Sequence, residues 1–263
     1  MTRVASGAVL IALAVGVVWF ATSYIFFAVA ATLLVLGVSE LITLSRASSL
    51  DVPALPSTIA AALAMAVVSL PDVGGRALEA VFMAALLGLG LVTLGAWRGG
   101  PQALASMSAS LFPALYLGLP IGALVAVRQL GGPPALFLLM LTIIISDSMQ
   151  YYTGRLLGRR PLAPMVSPKK TVEGAIGGFV FGTAAFVIIG AWWLPQIPTG
   201  LRAGLGLTVV ALGIAGDLFE SMLKRSANVK DSSSLIPGHG GILDRIDALL
   251  FAAPAYYIVL RYV

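Results

Sequence analysis

The sequence predicts an all-α, polytopic membrane protein with about nine transmembrane helices and charged active-site loops in the cytoplasm. Three observations carry this. Hydrophobic residues make up 59% of the chain and charged residues only 10%, where a soluble domain averages about 25% charged. Mean hydropathy is +1.00, and a chain of this composition has too little polar surface to cover a soluble core. The apolar residues also come in long unbroken runs. A membrane barrel would show apolar–polar alternation, so the spans are expected to be helices.

A helix needs about 20 apolar residues to cross a bilayer. Nine runs are candidates, at about 4–20, 24–44, 54–70, 77–97, 109–127, 134–152, 174–194, 203–222 and 246–262. The first follows Arg3 and resembles the apolar part of a signal peptide. No small-residue cleavage site precedes a soluble region, so it is expected to be retained as a span. Little more than Ala21, Thr22 and Ser23 separates it from the second, which predicts a tight hairpin or one broken unit. Pro53, Pro56, Pro71 and Pro101 mark loops, whereas Pro113 and Pro120 fall inside the fifth run and predict a kink or an interrupted helix.

With nine spans, one side of the membrane receives Arg3, Arg46, Arg98, Arg155, Arg159, Arg160, Lys169, Lys170, Lys224, Arg225, Lys230 and Arg245. The other receives Arg76, Arg128, Arg202 and Arg261. The excess of Lys and Arg places the N-terminus and the charged loops in the cytoplasm and the chain in the inner membrane. The net charge of +5 comes from these flanking bases. No basic run is interleaved with exposed aromatics, so nucleic acid is not an expected partner. There is no cysteine, and the single histidine, His239, excludes a multi-histidine zinc site.

The halves differ. Residues 1–132, spans one to five, hold few acids and many small residues that suit close helix packing in lipid. They are expected to be scaffold. Residues 133–263, spans six to nine with the loops 153–173 and 223–245, carry the chemistry. Asp147, in Ser146-Asp147-Ser148, ends an apolar run. There it faces the bundle interior, pairs with a base such as Arg155, or binds a cation. Tyr151 and Tyr152 read as interfacial anchors.

In the loop GRLLGRRPLAPMVSPKKTVEG, residues 154–174, five bases would attract anionic headgroups without any special site. Ser167, Lys169, Lys170, Thr171 and Glu173 form a more specific set. Hydroxyls and lysines beside a helix start suit phosphate, and no P-loop pattern is present. The stretch from Gly216 to Asp247, GDLFESMLKRSANVKDSSSLIPGHGGILDRID, is the most charged. Asp217 and Glu220 share a helix face, and Glu220 and Lys224 stand four apart and can pair. The helix is expected to end near Arg225 to Asn228. Gly238, Gly240 and Gly241 allow amides to approach a ligand, and Asp244 and Asp247 are again three apart. Carboxylates beside bases suit magnesium, which takes oxygen ligands together with substrate phosphates, and suit phosphoryl or nucleotidyl transfer.

From Ser221 to Asp247 the sequence reads S-x-L-K-R, K-D, a small-residue loop, P-G-H-G-G and D-R-x-D. This run resembles the signature of the phosphatidate cytidylyltransferases, or CDP-diacylglycerol synthases. SPKKTVEG and the region of Asp147 resemble family features in the expected order, so the likeness covers about residues 140–263. Two positions depart from the pattern: Ser-Met-Gln-Tyr follows Asp147 where Thr-x-Ala-Tyr is expected, and Ser233 stands where glycine is common. The resemblance implies that CTP and phosphatidate give CDP-diacylglycerol and pyrophosphate, with Mg2+ and room for a second cation. By position it implies Asp217 and Asp244 as metal ligands, supported by Asp147 and Asp247. It assigns Lys169, Lys170, Lys224, Arg225, Lys230 and Arg245 to the phosphates, with Lys170, Lys224 and Arg245 nearest the chemistry. Asp231 and His239 would shape the loop or the nucleotide pocket. Membrane lipid is an expected partner, as is a second copy of the chain through small-residue faces. The competing readings are a transporter or channel that uses the intramembrane acids and another CTP-dependent membrane enzyme, such as a lipid kinase.

Overall fold

The computed structural model describes residues 2–70, 75–236 and 240–263. The nine apolar runs all lie on helices: α1 (Thr2–Phe20), α2 (Ser23–Ala47), α3 (Ala54–Ser69), α4 (Gly75–Ala96), α5 (Ala103–Pro113), α6 (Leu119–Leu157), α7 (Val172–Trp193), α8 (Thr199–Ser226) and α9 (Leu243–Tyr262). Among the described residues, five helical stretches are long and apolar enough to cross a membrane. One of them, Ala103–Leu157, runs for 55 residues, more than twice what a single crossing needs. It carries both the fifth and the sixth run, divided at Gly132 (φ 71°) ahead of Pro133 and Pro134. Two prolines without N–H groups and a glycine in the left-handed region end one pass and begin the next.

The interruption expected from Pro113 and Pro120 is a π-helical turn, Ala114–Gly118, between α5 and α6. A Cβ on Gly118 or Gly122 would fall 2.6 and 2.7 Å from the carbonyl oxygens of Ala61 and Met65, so α3 lies backbone to backbone against this stretch. In lipid no hydrophobic force drives helices together, and such close van der Waals packing supplies the attraction. The central core is built from Leu34, Val38, Leu117, Leu138, Leu139 and Leu250. The Tyr256 hydroxyl donates to the Ala135 carbonyl (3.1 Å) and ties α9 to α6 just past the break.

The loop expected at 154–174 contains an antiparallel hairpin, β1 (Pro161–Ala163) with β2 (Ser167–Thr171), so the all-α architecture carries one small two-stranded sheet. Helix α8 ends at Ser226, and Asn228 takes φ 57° just beyond it, within the expected boundary.

Candidate active site

Helix α7 presents Gly174, Gly178 and Gly182 to α6. A Cβ on Gly178 would fall 2.5 Å from the Gln150 side chain, and one on Gly182 would lie 3.0 Å from the Ser146 Cβ. That close approach sets the C-terminal part of α6 beside β2 and α8. Between them lies a cleft of about 380 Å3 lined by Asp147, Gln150, Tyr151, Lys169, Lys170 and Asp217, among others. Lys170 Nζ meets Asp217 Oδ2 at 2.5 Å. Asp147 accepts from Gln150 Nε2 (2.9 Å). Arg155, the alternative partner, donates to the Tyr151 hydroxyl instead (3.3 Å). Tyr151 and Tyr152 are exposed, and Tyr151 lines the cleft.

The hairpin that aims Lys170 is held at its base. Glu173 accepts from the backbone amides of Arg159 (3.0 Å) and Arg160 (3.2 Å) and pairs with the Arg160 side chain (3.6 Å). The Thr171 hydroxyl accepts from Gly174 N (3.1 Å), caps α7 and also lines the cleft. Expected to meet substrate, Glu173 is instead engaged in orienting the hairpin. Ser167 sits opposite Ala163 in the ladder and is not among the lining residues of the cleft.

A second cluster adjoins the first. Lys224 is in ion contact with Glu220, the pair expected from their spacing, and with Asp244 Oδ1 at 2.5 Å. Glu220 is only 1% exposed. Asp244 Oδ2 accepts from Ser232 N (3.0 Å) and Gly241 N (2.8 Å), and Ser232 Oγ lies 2.9 Å from it. Asp244 lies in the first turn of α9, ahead of its apolar run. Burial pushes its carboxyl up, but the Lys224 ammonium and the amides of Gly241 and Ser232 outweigh that and hold it below the ordinary carboxylate range. Gly240, at φ 77°, stands so close that its Cβ would fall 2.5 Å from Asp244 Oδ2. The Gly241 amide, expected to face a ligand, is committed to Asp244.

Asp247, one turn further along α9, joins the first cluster. Its charge bears on Asp217 and Asp147, because Gly216 of α8 lets the Asp247 backbone come close. The four aspartates expected around one point are therefore divided: Asp147 and Asp217 share the cleft with Lys170, Asp244 joins Glu220 at Lys224, and Asp247 bears on both groups. Among the described residues, no three acidic or histidine side chains are gathered closely enough to hold an ion as they stand. Five carboxylates still face Lys170 and Lys224 here, with Lys169 and Arg155 also on the cleft wall, and all the acidic donors are oxygens. Excess negative charge with hard oxygen donors fits a hard divalent cation accompanied by phosphate.

Other expected residues lie apart. Arg225 is exposed and its Nη1 donates to the Val229 carbonyl (3.2 Å). Lys230 and Asp231 are exposed on the loop after α8. Arg245 turns away from the cleft to the rim of an apolar groove of about 340 Å3 between α1, α2, α6 and α9. His239 lies outside the described residues. Three residues join the site without having been expected: Gln150, Tyr116 and Glu40. Tyr116, on the π-helical turn, is buried near Glu220 and Asp247 with its hydroxyl unpartnered among the described residues. Glu40 is a lone acid in the apolar α2, and the rule applied to Asp147, that an intramembrane carboxylate faces inward to a partner, would have found it.

A sequence model of the cytidylyltransferase family matches residues 1–263. A phosphatidate cytidylyltransferase of Aquifex aeolicus is 41% identical over 127 residues, 48% of this chain and 46% of that protein. The uncharacterized protein YnbB of Escherichia coli is 46% identical over 135 residues, 51% of this chain and 44% of its own length. A phosphatidate cytidylyltransferase of Mycobacterium tuberculosis is 38% identical over 159 residues, covering 60% and 48% respectively. The matched regions thus span about half the length of these curated relatives.

Proposed function

Because the chain belongs to the cytidylyltransferase family, we propose that it transfers CMP from CTP to phosphatidate, leaving CDP-diacylglycerol in the membrane. A phosphate oxygen of the lipid attacks the α-phosphorus of CTP, the bond from that phosphorus to the β-phosphate oxygen breaks, and pyrophosphate departs. The observation that carries the reading is the convergence of Asp147, Lys170 and Asp217 from three separate elements on one cleft. A lipid phosphomonoester is already a nucleophile, so the protein's task is to hold two phosphates in line and offset their charge.

Lys169 and Lys170 would grip the triphosphate from the hairpin, and Lys224 would meet charge developing deeper in the site. Asp147, Asp217 and Asp247 would hold Mg2+, with Asp244 beside them, and the bound ion would supply charge neutralisation at the phosphates. The apolar groove rimmed by Arg245 is suited to the acyl chains, with the guanidinium at headgroup level. The test is purified protein in detergent with phosphatidate and CTP, labelled in its cytosine in one arm and at its terminal phosphate in the other. The cytosine label should enter the lipid and pyrophosphate should be released. Transfer of only the terminal phosphate would mark a lipid kinase, and no reaction would sink the proposal.

We place the site on the cytoplasmic side, from the distribution of Lys and Arg. A reporter fused after Val263 should then read as outside the cytoplasm, and a cytoplasmic signal would overturn the orientation. A homodimer formed through small-residue faces is also proposed, and crosslinking in native membranes reads it.

A further inference from the structure

Glu40 belongs to α2, in the half of the chain that reads as scaffold, yet its carboxylate is buried against the signature loop. Oε1 accepts from Ser233 Oγ (2.7 Å) and Ile242 N (2.9 Å). Oε2 accepts from Ser232 Oγ (2.8 Å) and Leu243 N (2.9 Å). Ile242 and Leu243 open α9, and no side chain of their own segment caps that helix. A carboxylate from another helix thus fills the place of the N-cap, where free amides and the helix dipole both favour negative charge. The same Ser232 hydroxyl lies 2.9 Å from Asp244 Oδ2. Gly241 packs so tightly here that a Cβ would collide with Glu40 and Ser232.

We infer that Glu40 is a positioning residue: through Ser232 and the first amides of α9 it holds Asp244, and with it Lys224, in place for the transfer. The inference rests on the reaction proposed above for what is being positioned, but the clasp itself is a property of the chain. It also accounts for a departure from the family pattern. Ser233, standing where glycine is common, supplies one of the four donors. The geometry has a further consequence. Each carboxylate oxygen takes one hydroxyl and one amide, so in Glu40→Gln the side-chain NH2 must face an amide N–H that cannot turn to accept. The glutamine variant should therefore fall between the parent and Glu40→Ala.

Hydrogen bonds to a buried charge are the stronger kind, so Glu40→Ala should lower kcat about 30- to 100-fold, Glu40→Gln about 10-fold and Ser233→Gly about 3-fold. The paired variants Glu40→Ala and Ser232→Ala should be non-additive, since the two residues act through one contact. Amide hydrogen exchange provides a readout apart from activity: in Glu40→Ala the amides of Ile242 and Leu243 should exchange at least about 10-fold faster, while Ala252 and Ala253, deep in α9, keep their protection. General loss of structure would instead speed exchange throughout α9 and would overturn the inference. So would unchanged exchange at Ile242 and Leu243, or parental kcat in Glu40→Ala. If the parent protein makes no CMP-lipid, the proposed reaction fails, and the exchange experiment still decides whether Glu40 clasps the loop.

Discussion

Asp217→Asn is expected to lower CMP transfer about 1,000-fold, near the upper end for loss of one preorganised charge in a site of this kind. The aspartate stands in the C-terminal part of α8, bears on Asp147 and Asp247, and is the partner of Lys170 at 2.5 Å. Asparagine keeps the shape but removes the charge that orients the ammonium. It also removes an anionic oxygen from the set that would hold the metal. The protein should stay folded, because Asp217 is not fully buried and Lys170 can turn into the open cleft. Turnover per folded molecule and the magnesium concentration for half-maximal rate are the measurements. Full magnesium-dependent turnover in the purified variant would remove Asp217 from the site.

Lys224→Met should strike both folding and turnover. Lys224 is the one cation in contact with Glu220 among the described residues, and it also pairs with Asp244. Neither Glu220 oxygen has a well-formed hydrogen bond. Taking the ammonium away leaves a carboxylate buried without compensation, and breaking such a pair costs about 3–5 kcal/mol. Asp244 suffers less, because Ser232 and Gly241 still donate to it. The double variant Lys224→Met/Glu220→Leu should therefore regain more than half of the lost stability while remaining inactive. Thermal unfolding in detergent reads the first effect and CMP transfer the second. A single variant as stable as the parent would mean that Glu220 is not held as drawn. A double variant that regains activity would remove Lys224 from the chemistry.

Both expectations join residues that differ in how far they can be read from order along the chain. Membrane passage is legible in one dimension, because a run of about 20 apolar residues has no other stable state than a helix with its backbone bonds satisfied internally. The interruptions at Pro113 and Pro120 and the Glu220–Lys224 pair are legible for a related reason: they depend on the helix period and on a missing N–H, both local properties. The hairpin at 161–171 was not, since its register depends on Glu173 catching the backbone of Arg159 and Arg160 from the start of α7.

The site itself is assembled from contacts that no local rule reaches. Lys170 meets Asp217 across 47 residues of chain, and Glu40 meets Ser232 across 192. Arg245 and Asp244 are neighbours, yet one faces an apolar groove and the other a buried lysine, because successive side chains on a helix point about 100° apart and the packing of α9 against α8 settles which one turns inward. Residue order was enough to expect phosphate chemistry in this half of a membrane chain, since charge beside oil demands a use. Which carboxylate answers which lysine followed from the close approach of helices at glycines 174, 178 and 216, where the absence of a side chain lets backbones touch.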